Sequence, residues 1–172
     1  MMCENTVRWL YRLDRSFTWH SCLTVSEDLV FHDKGGKVRL IIEAGGRLTV
    51  TSGYSWNGCS PKICLFDILW GTPDGAVYEP TGKPKTYFAS MVHDALYQFL
   101  DVEGPITRTQ ADECFLRLME ESEFALRHVY WLAVRLFGYI VWWGKRKKRR
   151  WQGDVQSVQS LPFAGSQHQR TV

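Results

Sequence analysis

Four residues in the second half of the chain have the types and spacing from which a reaction site can be built: His93, Asp94, Tyr97 and Asp112. On a helix, His93 and Tyr97 are four apart and share a face. Asp94, turned by about 100° from His93, addresses a different neighbour, so one helix offers an imidazole and a carboxylate in two directions. Asp112 falls in the first turn of the next helical segment, at the edge of its apolar stripe. With the two segments packed antiparallel, its carboxylate reaches Nδ1 of His93 and fixes the tautomer, as a general base requires. The same spacing also suits a structural pair. A carboxylate near a helix start gains about 0.3–1 kcal/mol from the helix dipole alone, and His93 and Tyr97 equally suit the cap of an apolar core.

Three helical segments must position these side chains. In the first, Phe88, Met91, Val92, Ala95, Leu96 and Phe99 recur at three- and four-residue intervals, with Pro84 and Thr86 as start signals upstream. In the second, Thr107 and Gln110 match a capping box, and Ala111, Cys114, Phe115, Leu118 and Met119 follow as the buried face. Gly104 and Pro105 lie in the connection between the two. The third begins after Ser122, carries Ala125, Val129, Leu132, Ala133, Leu136 and Ile140 on one side, and ends near Gly144.

Ahead of the helices, residues 29–51 are short β-branched runs separated by the pairs Gly35-Gly36 and Gly45-Gly46, the pattern of an antiparallel meander with tight turns. Residues 53–84 mix Gly, Pro, Asn and Asp with Trp56, Phe66 and Trp70, which reads as a long ordered loop. Trp56, Trp70 and Tyr78 could shape a pocket there, although such aromatics also fill cores. Residues 152–172 are polar and Gln-rich, as a disordered tail is. The fold class expected is α+β: an N-terminal antiparallel sheet, a long ordered loop, a three-helix C-terminal half and a disordered tail. Residues 1–144 form the single domain, and 145–172 the basic segment and tail.

The 172 residues leave room for one domain with a real core. A hydrophobic fraction of 45% and a charged fraction of 23% exclude a wholly disordered chain and a polytopic membrane protein. The net charge of +3 is local: without the run Lys145, Arg146, Lys147, Lys148, Arg149 and Arg150, 15 positive residues face 18 negative ones. A basic surface over the whole domain, as in a dedicated DNA-binding fold, is therefore not indicated. Five cysteines without a Cys-x-x-Cys spacing favour a reducing compartment over a disulfide framework or a four-thiolate zinc site. The charges Glu4, Arg8 and Arg12 argue against a secretory signal peptide. Residues 124–143 are long enough to cross a membrane, but Arg127, His128 and Arg135 interrupt them, so a packed helix is expected. Trp142, Trp143 and Trp151 bracket the six cations, which could anchor that end on an anionic lipid surface or on nucleic-acid phosphates, or simply be solvated.

The run Tyr54-Ser55-Trp56-Asn57-Gly58-Cys59-Ser60-Pro61, then His93-Asp94-Ala95-Leu96-Tyr97, then Arg108 with Ala111-Asp112 and Phe115, then Tyr130, Ala133-Val134-Arg135 and Phe137-Gly138, resembles the domain of unknown function 1353 family. The resemblance spans roughly residues 29–143 and implies a phage or prophage protein of common fold, without a settled activity. The family commonly has Asp at the position of Asn57, which keeps an oxygen and loses the charge.

His93-Asp94-x-x-Tyr97 with Asp112 downstream is also similar to the active helix of phospholipases A2. That similarity implies His93 as base, Asp112 as its orienter, Tyr97 as a further donor and Asp94 as a calcium ligand; Asn57, at the position where the first family commonly has Asp, is the other candidate metal ligand, in the glycine-bearing loop at 53–61. The calcium loop Tyr-Gly-x-x-Cys-Gly-x-Gly and the cysteine pair of those enzymes are absent from the sequence. An HD-type phosphohydrolase would need an earlier ligand from His20 or His32, both in strand-like sequence. The expectation is an uncharacterised bacteriophage protein acting as a small, divalent-metal-assisted ester hydrolase with calcium, in the host cytoplasm or at the periphery of the inner membrane. The alternative is a non-catalytic accessory or virion-associated protein that binds a host protein, a membrane or nucleic acid.

Overall fold

Turn chemistry sets the first half of the fold. The computed structural model describes residues 10–59, 62–65, 68–71, 74–99 and 105–136. Its elements are β1 (Tyr11–Arg12), β2 (Phe17–His20), β3 (Leu29–His32), β4 (Val38–Ile42), β5 (Arg47–Val50), β6 (Ser55–Trp56), β7 (Lys62–Leu65), β8 (Ile68–Gly71), β9 (Val77–Tyr78), β10 (Lys83–Pro84), α1 (Tyr87–Phe99) and α2 (Arg108–Glu121), followed by α3 (residues 127–136). Strands β2, β5, β4 and β3 form one antiparallel sheet in that order. Its two hairpins turn on the glycine pairs, with Gly36 at φ 74° and Gly46 at φ 82°. Glycine is required at position 46, because a Cβ would also sit 3.1 Å from the Leu23 carbonyl oxygen.

Alternation along the strands sorts the side chains. Leu29, Leu40, Ile42, Leu48 and Val50 are buried on one face, against Met91, Val92, Ala95 and Leu96 of α1. Phe17 stacks on Phe88 at 4.4 Å and Phe31 on Phe99 at 5.5 Å, which ties both edge strands to the same helix. His20 and His32 are exposed at the ends of β2 and β3.

Where the sequence reads as one long ordered loop, residues 53–84 contain short antiparallel pairs: β6 with β1, β7 with β8, and β9 with β10. Trp56 holds this stretch in place. It is fully buried, its ring packs on Tyr11, Tyr54 and Tyr87, and its Nε1 donates to Ser90 Oγ at 3.2 Å. The loop is thereby fastened to α1.

The capping box of α2 forms as read: Thr107 Oγ1 accepts from the Gln110 amide, and the Gln110 side chain accepts from the Thr107 amide at 2.8 Å. The third helix is packed, but its sidedness is the reverse of an ordinary amphipathic helix. Leu126, Val129, Leu132 and Leu136 are exposed, and Tyr130 is the buried residue of the helix. The inward side is taken by Tyr130, whose ring meets Phe124, and by half-buried Arg127, Trp131 and Val134. Apolar periodicity gives the direction of a stripe relative to its own helix, and not which side the rest of the protein occupies. The expected helix end near Gly144, the segment 145–172, residues 1–9 and Gly104 lie outside the described residues. No helix among the described residues is long and apolar enough to cross a membrane.

Candidate functional site

Helices α1 and α2 run antiparallel, since His93 meets Asp112 while Tyr97, one turn on, meets Arg108, one turn back. Asp112 is fully buried. Its Oδ1 lies 3.0 Å from His93 Nε2 and accepts the Tyr97 hydroxyl at 2.6 Å. Its Oδ2 faces Arg108 Nε at 3.7 Å and Arg135 Nη1 at 3.5 Å. Arg108 donates through Nε to the Tyr97 hydroxyl oxygen at 2.9 Å, and through Nη2 to the carbonyls of Val134, at 3.0 Å, and Arg135. Arg135 also donates to Thr109 Oγ1 at 3.0 Å. One carboxylate thus gathers α1, α2 and α3.

The ring nitrogen that meets Asp112 is Nε2, not the expected Nδ1. Nε2 is at the far end of the imidazole, so a partner on the neighbouring helix reaches it first. The ring is held between Tyr97, at 4.2 Å between centroids, and Phe115, at 4.9 Å.

Burial works to raise the pKa of Asp112. The hydrogen bonds from His93 and Tyr97 and the charges of His93 and Arg108 outweigh it, so the carboxyl is held below its ordinary value and stays ionised. Tyr97 is pushed up by burial and by its bond to Asp112, and remains a donor.

Asp94 is half-buried and lies on another side of α1, where its charge, after burial, helps to raise the pKa of Tyr54. Asn57 is half-buried between Trp56 and Gly58, in the loop that Trp56 pins to α1. Among the described residues, no three Asp, Glu, His or Cys side chains converge as metal ligands do. Lys145, Arg146, Lys147, Lys148, Arg149 and Arg150 lie outside the described residues.

Two features escape the sequence reading. Arg108 and Arg135, which enter the sequence reading only as members of the family-like blocks, complete the Asp112 cluster; the four-residue spacing from Arg108 to Asp112 is a signal for the first of them. Asp74 forms a second node, with Oδ2 accepting the Tyr11 hydroxyl at 2.9 Å, Oδ1 accepting the Cys59 amide at 2.8 Å and its carbonyl accepting Thr86 Oγ1 at 2.7 Å. The node fastens β1 and the Asn57 loop to the start of α1. Burial, with the hydrogen bond and charge of Asp74, pushes Tyr11 up to about 12.

No curated protein and no solved structure matches the chain. Residues 76–134 match the family described as Protein of unknown function (DUF1353), a span that contains α1, α2 and most of α3. The loop block around Asn57 lies ahead of the match. The segment that carries the His93–Asp112 pair is thus the part of the chain that is similar to that family of unknown function.

Proposed function

We propose that this chain is a small hydrolase acting on an ester, in which His93 is the general base and Asp112 its orienting carboxylate. One observation carries the reading. His93 is anchored through Nε2 by a buried, ionised carboxylate, its Nδ1 has no hydrogen-bond partner among the described residues, and 12% of its side chain stays exposed.

In this reading Nδ1 takes a proton from water as the water oxygen bonds to the ester carbonyl carbon, whose π pair moves onto the carbonyl oxygen. Asp112 stabilises the imidazolium that forms. Collapse of the tetrahedral intermediate breaks the carbon–alkoxide bond, and the alkoxide takes the proton from Nδ1, leaving a carboxylic acid and an alcohol. Tyr97 and Arg108 keep the carboxylate oriented.

Calcium, when bound, would polarise the carbonyl. Asp94 and Asn57 are the residues proposed to hold it, two side-chain oxygens of the roughly six to eight that calcium takes. The donors described do not make up a full site, so no step above runs through the ion.

A second reading has its own support. Asp112 is fully buried and is met from three helices, as a structural clamp in a non-catalytic phage accessory protein would be. Assay of the full chain on soluble esters and on phospholipid vesicles, with calcium and with chelator, separates the two. The hydrolase reading expects His93→Ala to lose turnover with its fold intact. The clamp expects no turnover in either protein and a lower melting temperature for the variant.

A further inference from the structure

The outer side of α3 is an apolar strip with nothing of the described protein against it. Val129, Leu132 and Leu136 expose 63%, 52% and 60% of their surface, and Leu126, in the turn before, 53%. At about 100° per residue, the three helical positions fall within about 60° of one another. The opposite side carries Tyr130, Val134 and Arg127, turned inward. A surface helix of a water-soluble domain ordinarily places such a strip on the core.

The sequence continues the strip and adds charge to it. Ile140 and Trp143 keep the three- and four-residue spacing, and six consecutive cations begin at Lys145. No Asp or Glu occurs between Glu123 and Asp154, although the chain without those six cations has an excess of acidic residues. Apolar side chains, tryptophan and an acid-free basic run in one stretch are what an anionic lipid interface binds. A second copy packed strip to strip sets the same cations against one another, with no Asp or Glu between Glu123 and Asp154 to meet them.

We propose that this strip docks in the plane of an anionic phospholipid bilayer, with Val129, Leu132 and Leu136 in the acyl boundary, the charge of the basic run that begins at Lys145 in the sequence favouring an anionic surface. The surface is separate from His93, so the His93→Ala protein is expected to bind as the wild type does.

The test is co-sedimentation of the full chain with vesicles of phosphatidylcholine, and of phosphatidylcholine mixed with phosphatidylglycerol, at low and high salt. Two variants are compared: Leu132→Ser with Leu136→Ser, and the six cations replaced by Gln. Leu132 and Leu136 are exposed, and circular dichroism checks that the fold is kept in both variants. The proposal expects binding to the anionic vesicles, weakened by salt and by about tenfold or more in each variant, and little binding to phosphatidylcholine. Equal binding to both vesicles, or none to either, overturns it. So does a strip variant that loses only a concentration-dependent dimer in sedimentation velocity, or a Gln variant that loses only binding to an oligonucleotide.

Discussion

His93 and Asp112 are 19 residues apart in the chain and 3.0 Å apart in space, and the carboxylate between them is closed off from solvent. The contact is made by Nε2, while Nδ1 has no hydrogen-bond partner among the described residues. Whatever else the site does, this pair also bears on stability, because Arg108 and Arg135 share the same carboxylate.

Removing that carboxylate takes away the group that two guanidinium groups, His93 Nε2 and the Tyr97 hydroxyl share. Asp112→Ala is therefore expected to cost about 3–5 kcal/mol. Asp112→Asn keeps the shape and one acceptor oxygen, and is expected to cost less. Urea unfolding followed by circular dichroism measures both; a loss below about 1 kcal/mol in Asp112→Ala, the worth of a single ordinary hydrogen bond, would show that the cluster holds nothing together.

Acid should weaken the protein through the same residue. The folded carboxyl titrates below its unfolded value, so its contribution is present in full above the ordinary carboxylate range and is lost as pH falls through the folded value. Melting temperature against pH should fall on the acid side for the wild type, and less steeply for Asp112→Asn.

The start of α2 depends on its capping box. Thr107→Ala removes the hydroxyl that accepts from the Gln110 amide, at an expected cost of about 1 kcal/mol. Thr107→Ser, which keeps the hydroxyl, should stay close to wild type in the same unfolding measurement.

Two glycines with positive φ should differ in their tolerance of alanine. At Gly58, φ is 73° and a Cβ would lie 2.6 Å from Asp74 Oδ1, against the carboxylate that holds the loop. At Gly36, φ is 74° and nothing lies within 4 Å. Gly36→Ala should cost only the left-handed backbone term, about 1–2 kcal/mol, and Gly58→Ala visibly more. Equal losses would mean that Asp74 yields freely.

The parts of this fold that could be read from residues are those with local causes. The glycine pairs mark hairpins because only their backbone suits the turns, and Thr107 with Gln110 marks a helix start because the two side chains bond there. The His93–Asp112 contact was legible from helical phase combined with an antiparallel connection, although the nitrogen was not. Side choice is a property of the whole molecule: α3 carries its leucines outward while Tyr130 packs on Phe124. Asp74 gave no signal, since an Asp in a turn-rich stretch ordinarily serves the turn itself, while here it binds Tyr11, 63 residues away.

We propose that Nδ1 of His93 takes a proton from water. It is tested most directly by the rate at which His93→Ala hydrolyses a soluble ester, with and without added imidazole, beside the wild type. A general base predicts turnover by the wild type, a loss of about 10²–10⁴-fold in the variant with its fold retained, and partial recovery when imidazole occupies the vacated space. Equal rates in the two proteins, or no turnover of any ester by the wild type, would contradict it and leave the Asp112 cluster as a clamp.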